Sequence, residues 1–178
     1  MDLSRDHFLT TNRIGFSHWD TGDLKLALLL WGNPEVTAWI GGPFDLDQIA
    51  SRLSCEIELM RLHGVQYWPI FSLQDNAFAG CAGLRPYKDS EHLFEMGVHM
   101  LPAFWRRGFA QEAARALIDH AFDELGARGL VAGHHPNNAA SARLIQRLGF
   151  RCAGEEYYPP TGLKHPFYLL ENRDSAAE

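Results

Sequence analysis

Trp105-Arg106-Arg107-Gly108-Phe109-Ala110 sets two guanidinium groups and a glycine directly ahead of an alanine-rich stretch. A helix start presents unpaired backbone N–H groups and the positive end of the helix dipole, and a glycine lets an anion approach the chain closely. Phosphate binding is the chemistry this segment supports, against the plain alternative of a loop with two solvated arginines. A second signal lies just upstream, where Phe94, Met96, Val98 and Met100 alternate with Glu95, Gly97 and His99. A period of two describes a strand with one apolar face and one face carrying an acid, a gap and an imidazole. That polar face either lines a site or is simply solvated. His99 and His134 stand in reserve as bases near neutrality. Neither Gly-x-Gly-x-x-Gly nor the Gly-Lys-Ser/Thr phosphate loop occurs, which disfavours a Rossmann dinucleotide site or a P-loop. His-Glu-x-x-His is also missing, and the neighbours His134 and His135 point apart on a strand, so no metal site is expected.

The elements that hold these residues follow from apolar spacing. After Pro102, the residues Ala110, Ala113, Ala114, Leu117, Ile118, Ala121, Phe122 and Leu125 repeat at helical intervals up to Gly126. Before it, Tyr67 to Leu73, Phe78 to Leu84 and Leu93 to Leu101 form a three-strand meander, with turns at Asp75-Asn76 and near Lys88-Asp89-Ser90. A strand is expected from Leu9 to Phe16, then a helix from Leu24 to Trp31 capped within Asp20-Thr21-Gly22-Asp23 and ended by Asn33-Pro34. Gly41-Gly42-Pro43 is a turn. Asp45 opens a helix with Leu46, Ile49, Leu53, Ile57 and Met60 in register, and Gly64 caps its end. A strand from Gly129 to His134, the turn His135-Pro136-Asn137, a helix with Leu144, Ile145 and Leu148, a stop at Gly149 and strands near Phe150 to Tyr158 and His165 to Leu170 complete the chain. The strand-helix-strand unit implies a parallel crossover in an otherwise antiparallel sheet.

At 178 residues the chain is about the size of one domain. Its net charge of −6 repels nucleic acid phosphate and draws cationic molecules such as amines. Cys55, Cys81 and Cys152 show no metal or disulfide spacing and suit a reduced setting. The start Met1-Asp2-Leu3-Ser4-Arg5-Asp6-His7 lacks a basic, then apolar leader, and the longest apolar run, Leu26 to Trp31, is too short to span a bilayer. A cytoplasmic protein that contacts neither membrane nor nucleic acid directly, as a monomer or homodimer, is expected.

The run from Glu95 through Ala113, followed by Pro136-Asn137-Asn138-Ala139-Ala140-Ser141 and Arg143-Leu144-Ile145-Gln146-Arg147-Leu148-Gly149-Phe150, resembles the GNAT N-acetyltransferase family. The likeness is to the branch of ribosomal-protein alanine and serine N-acetyltransferases, and it extends to Trp31-Gly32-Asn33-Pro34-Glu35-Val36 and Trp39-Ile40-Gly41-Gly42. It implies one α/β (α+β) domain over residues 1–173, with a mixed, mostly antiparallel sheet of about seven strands and about four flanking helices. A polar tail, 174–178, follows.

The resemblance also implies acetyl-CoA as co-substrate and a primary amine as acceptor, on a small molecule or a protein N-terminus. A non-catalytic acyl-CoA-binding or partner-binding module on the same fold is the alternative. In the family a Gln/Arg-x-x-Gly-x-Gly/Ala loop wraps the cofactor's pyrophosphate; here Trp105 replaces the first residue, while Arg107, Gly108 and Ala110 fill later positions beside Arg106 and Phe109. The backbone of Val98, His99 and Met100 is implied to pair with the pantetheine arm. Asn138 bonds that arm or caps a helix, and Arg143 helps hold phosphate or is a surface arginine. Acetyl transfer needs a deprotonated amine, a polarised carbonyl and an acid for the departing thiolate. Glu95 is the candidate base or amine holder, Ser141 the candidate acid, and Tyr157 and Tyr158 the alternative acids. Trp19, Trp31, Trp39, Trp68 and the loop Gly41-Gly42-Pro43-Phe44 fall where the family shapes its acceptor pocket, by cation–π contact or by packing alone.

Overall fold

The computed structural model describes residues 5–88, 90 and 92–172. Asp89 of the expected turn and the 174–178 tail lie outside the described residues. Among those described, eight strands form one sheet: β1 (Leu9–Thr10), β2 (Ile14–Phe16), β3 (Tyr67–Ser72), β4 (Phe78–Pro86), β5 (Leu93–Met100), β6 (Gly129–Gly133), β7 (Arg151–Tyr158) and β8 (Leu163–Glu171). Their spatial order is β1-β2-β3-β4-β5-β6-β8-β7. Five α-helices accompany them: α1 (Leu24–Trp31), α2 (Pro34–Thr37), α3 (Leu46–His63), α4 (Phe109–Asp123) and α5 (Ala139–Arg147).

The single strand expected from Leu9 to Phe16 is instead the hairpin β1–β2. Thr11 Oγ1 accepts the N–H groups of Arg13 and Ile14, and this side-chain turn breaks the run. α2 is a further addition. Asn33-Pro34 does end α1, but the Asn33 side chain then caps Glu35 and Val36 to start a new turn. α3 begins with a reciprocal cap, Gln48 N–H to Asp45 Oδ1 and Asp45 N–H to Gln48 Oε1, both 2.9 Å. Gly64, at φ 68°, ends it in a left-handed conformation that suits glycine.

β3 is buried throughout because both faces of the sheet are covered. On one face Trp68, Ile70, Phe94 and Met96 pack against Ala113, Ala114 and Leu117 of α4, whose alanines let the helix approach closely. On the other, Tyr67, Phe71 and Cys81 meet Trp31 of α1 and Ile49 and Leu53 of α3. Leu46, counted above in the apolar row of α3, is 55% exposed, while Glu56 on the buried face is fully enclosed.

Candidate active site

β5 pairs with β4 from Phe94 to Met100, but with the parallel β6 only at Leu93, Phe94 and Glu95. Beyond Glu95 the two strands part. Leu93 O accepts Tyr87 N–H and Leu101 N–H donates to Ala79 O, each at 2.9 Å, so the odd residues of β5 turn their main chain to β4. The even residues turn theirs to the gap. The main chain of Val98 and Met100 therefore lines an open edge, and the Met100 carbonyl accepts Trp105 Nε1–H at 2.7 Å.

His99 departs from the expectation that it joins this edge. Its main chain faces Cys81 in β4, and its Nδ1 accepts Trp31 Nε1–H at 3.2 Å. Burial, helped by the nearby positive charges of Arg52 and Arg85, holds the imidazole well below its ordinary pKa and therefore neutral. His134, the other reserve base, is 8% exposed. Its Nδ1 donates to His135 O at 2.8 Å and its Nε2 meets the Tyr168 hydroxyl at 3.2 Å.

The edge leads to the start of α4. Trp105 and Gly108 frame a tight loop in which Arg106 (φ 58°) and Gly108 (φ 80°) both adopt left-handed backbone. Gly108 is the N-cap and supplies no side-chain acceptor, so the first N–H groups of α4, at Phe109, Ala110 and Gln111, stay available to an anion. Arg107 is committed to the loop: it donates to Ala103 O at 3.2 Å and lies over the Phe104 and Phe109 rings. Arg13 Nη1 donates to Arg107 O at 3.0 Å, and Arg13 is itself paired with Glu112. Arg106 and Arg143 are exposed.

Across the gap, Asn138 caps α5 by accepting Ser141 N–H at 3.1 Å, which leaves its amide N–H₂ for another partner. Ser141 is half-buried on the first turn.

Glu95 projects from β5 on the face opposite α4. Gly97 beside it is required by contact, since a Cβ there would stand 2.3 Å from the Tyr67 hydroxyl. The gap read from the sequence is thus filled by the Tyr67 ring, whose hydroxyl favours the charged form of Glu95. Arg85 stacks 4.4 Å from the Tyr67 ring centre and pairs with the enclosed Glu56, which also accepts Tyr67 N–H at 2.8 Å. Glu95 keeps solvent access, yet the protein packed around it desolvates the carboxylate and pushes its pKa up; Arg85 opposes the shift and Glu156 adds to it.

The β7–β8 hairpin folds over this face. Glu156 accepts from Tyr87 Oη at 2.5 Å and from Lys88 Nζ at 2.7 Å. Tyr158, two residues on, shares the inward face; its ring lies 4.6 Å from His165, and burial raises its phenol pKa. Tyr157 does not join it. Strand alternation turns it outward, 64% exposed, which removes it from the convergent acids. Of the tryptophans, Trp19, Trp31 and Trp68 are core residues, while Trp39 is 38% exposed and lies 4.9 Å from His135. Tyr67, Arg85, Glu56 and Arg52 are site residues that the sequence reading missed; only their final proximity marks them.

A sheet opened at a parallel pair, with a glycine-led helix start at one end of the opening and a perturbed carboxylate at the other, is the frame of an acyl-transfer enzyme. Residues 13–151 match the Acetyltransferase (GNAT) domain, and the chain belongs to the GNAT acetyltransferases. It is 29% identical over 143 residues to the uncharacterized protein YkkB of Bacillus subtilis, covering 79% of this chain and 83% of that one. An acetyltransferase structure from Agrobacterium tumefaciens superposes with TM-score 0.79 at 22% identity, over 92% of this chain and 94% of the other. RimL, a ribosomal-protein alpha-N-acetyltransferase solved with coenzyme A, shares the fold at TM-score 0.77 and 17% identity, over 90% of this chain and 95% of its own. Among the described residues no helix is long and apolar enough to cross a membrane.

Proposed function

We propose that the protein moves the acetyl group of acetyl-CoA directly to a primary amine, of a small molecule or a protein N-terminus, within a ternary complex. The observation that carries this reading is the free edge of β5, running from the glycine-led start of α4 down to Glu95. The pantetheine arm is peptide-like and pairs with the main chain of Val98 and Met100. The pyrophosphate sits beside Gly108 on the N–H groups of Phe109, Ala110 and Gln111, with Arg106 and Arg143 adding charge and Arg107 bracing the loop. The amide of Asn138 bonds the arm from the far wall.

In the reaction the amine nitrogen forms its bond to the acetyl carbon as the carbon–sulfur bond breaks. The proton lost by the amine passes to Glu95, whose raised pKa brings it nearer to the task. The thiolate takes a proton from the Ser141 hydroxyl or from Tyr158. The free thiols Cys55, Cys81 and Cys152 suit a cytoplasmic setting. Calorimetric titration with acetyl-CoA, with NADH and ATP as controls, and CoA release on addition of amines test the reading. Selective binding with amine-dependent release supports it; a folded protein that binds no acetyl-CoA overturns it.

A further inference from the structure

Among the described residues, two opposite charges stand without an ionic partner on the face of the sheet that carries Glu95. The charges around them are already paired, Arg85 with Glu56 and Lys88 with Glu156. Among the described residues, Glu95 and Arg52 of α3 form no salt bridge there. Among the described residues Arg52 makes neither an ion pair nor a hydrogen bond, and its Nε is buried without an acceptor. Packing holds it instead: the guanidinium lies 4.7 Å from the centre of the Trp31 ring. Trp31 in turn donates to His99, which shares the Glu95 face of β5. Through the Trp31 ring and its bond to His99, Arg52 stands on the side of the sheet that carries Glu95, and its charge acts on Glu95, His99 and Tyr158.

A guanidinium stacked on an indole keeps its donors at its rim, and unmet donors in a partly buried place gain most from an oxyanion. The cofactor's phosphates do not supply that oxyanion, because their cradle belongs to α4, which packs on the opposite face of the sheet.

We propose that the acceptor is an amine that also bears a carboxylate, with the amine directed to Glu95 and the carboxylate received by Arg52. This rests on the amine-transfer reading above and narrows its substrate class. A cation alone leaves Arg52 unmet; an aminocarboxylate answers both charges at once.

The test is CoA release, confirmed by the mass of the N-acetyl product, for methionine, γ-aminobutyrate and ε-aminocaproate, each beside its own carboxamide. The three differ in the distance between amine and carboxylate. At least one acid is expected to exceed its carboxamide in kcat/KM by about tenfold or more, the scale of a charge-assisted hydrogen bond. Arg52→Met should collapse that ratio toward one, and Arg52→Lys should restore part of it. Carboxamides turned over as well as the acids, or a ratio that survives Arg52→Met, overturns the inference and leaves amine transfer standing. Acetyl-CoA binding with no turnover of any of the six compounds overturns it also, since the class it names is then not accepted.

Discussion

The indole N–H of Trp105 donates to the main-chain oxygen of Met100 at 2.7 Å, tying the loop before α4 to the last carbonyl on the open edge of β5. That bond fixes the angle between the α4 start and the edge, which the proposed function uses to hold acetyl-CoA. Trp105→Phe keeps the ring and loses one hydrogen bond worth about 1 kcal/mol. Acetyl-CoA affinity measured by calorimetry should fall about fivefold, with little change in Tm.

Gly108 occupies φ 80°, and a Cβ there would come within 3.3 Å of the Arg13 guanidinium. Gly108→Val sets a β-branched residue in left-handed backbone at a cost of about 1–3 kcal/mol. It also closes the approach to the first N–H groups of α4. Acetyl-CoA binding should be lost while far-UV circular dichroism still reports the folded chain; retained affinity would remove the phosphate role from this loop.

Glu95 links activity to pH and stability in opposite senses. Its folded-state pKa is raised by desolvation, so the folded protein holds that proton more tightly than the unfolded chain does. The stability this contributes is present below the ordinary carboxylate range and is lost as pH rises through the raised value. At neutral pH Glu95→Gln should therefore have a higher Tm than the parent and a kcat lower by about 100-fold. In the parent the acidic limb of kcat/KM should lie above the ordinary carboxylate range, and Glu95→Gln should abolish it.

Arg85 and Glu56 form an ion pair between β4 and α3 in which the carboxylate is fully enclosed. Arg85→Met leaves that charge unmatched, at about 3–5 kcal/mol. Tm should drop by about 10 °C in thermal unfolding, and the double variant Arg85→Met, Glu56→Gln should recover most of it.

Legibility in the sequence followed the range of the interactions involved. α3 and α4 were readable because spacing, an Asp45 cap and a closing glycine all act within one or two turns. The parallel crossover was readable because one helix separates two strands. The hairpin at Leu9 to Phe16 was not, since a single threonine side chain breaks it. Nor was α2, where Asn33-Pro34 serves as both stop and start. The cofactor edge was visible as an alternation, but strand parity divides it: Val98 and Met100 face the gap, and His99 does not. The charged network was illegible for a different reason. Arg85 meets Glu56 across 29 positions and Tyr87 meets Glu156 across 69. No local pattern announces that a helix, two neighbouring strands and a distant hairpin will bring their charges to one place.

Arg106 holds a left-handed backbone, φ 58°, two residues before Gly108, which does the same. Glycine would adopt that shape freely, whereas a residue with a Cβ carries about 1 kcal/mol of conformational penalty there. Arg106→Gly would thus relax the loop in the empty protein while removing a positive charge from its rim. On the proposed reading of this loop, thermal stability and cofactor retention pull this position toward different amino acids.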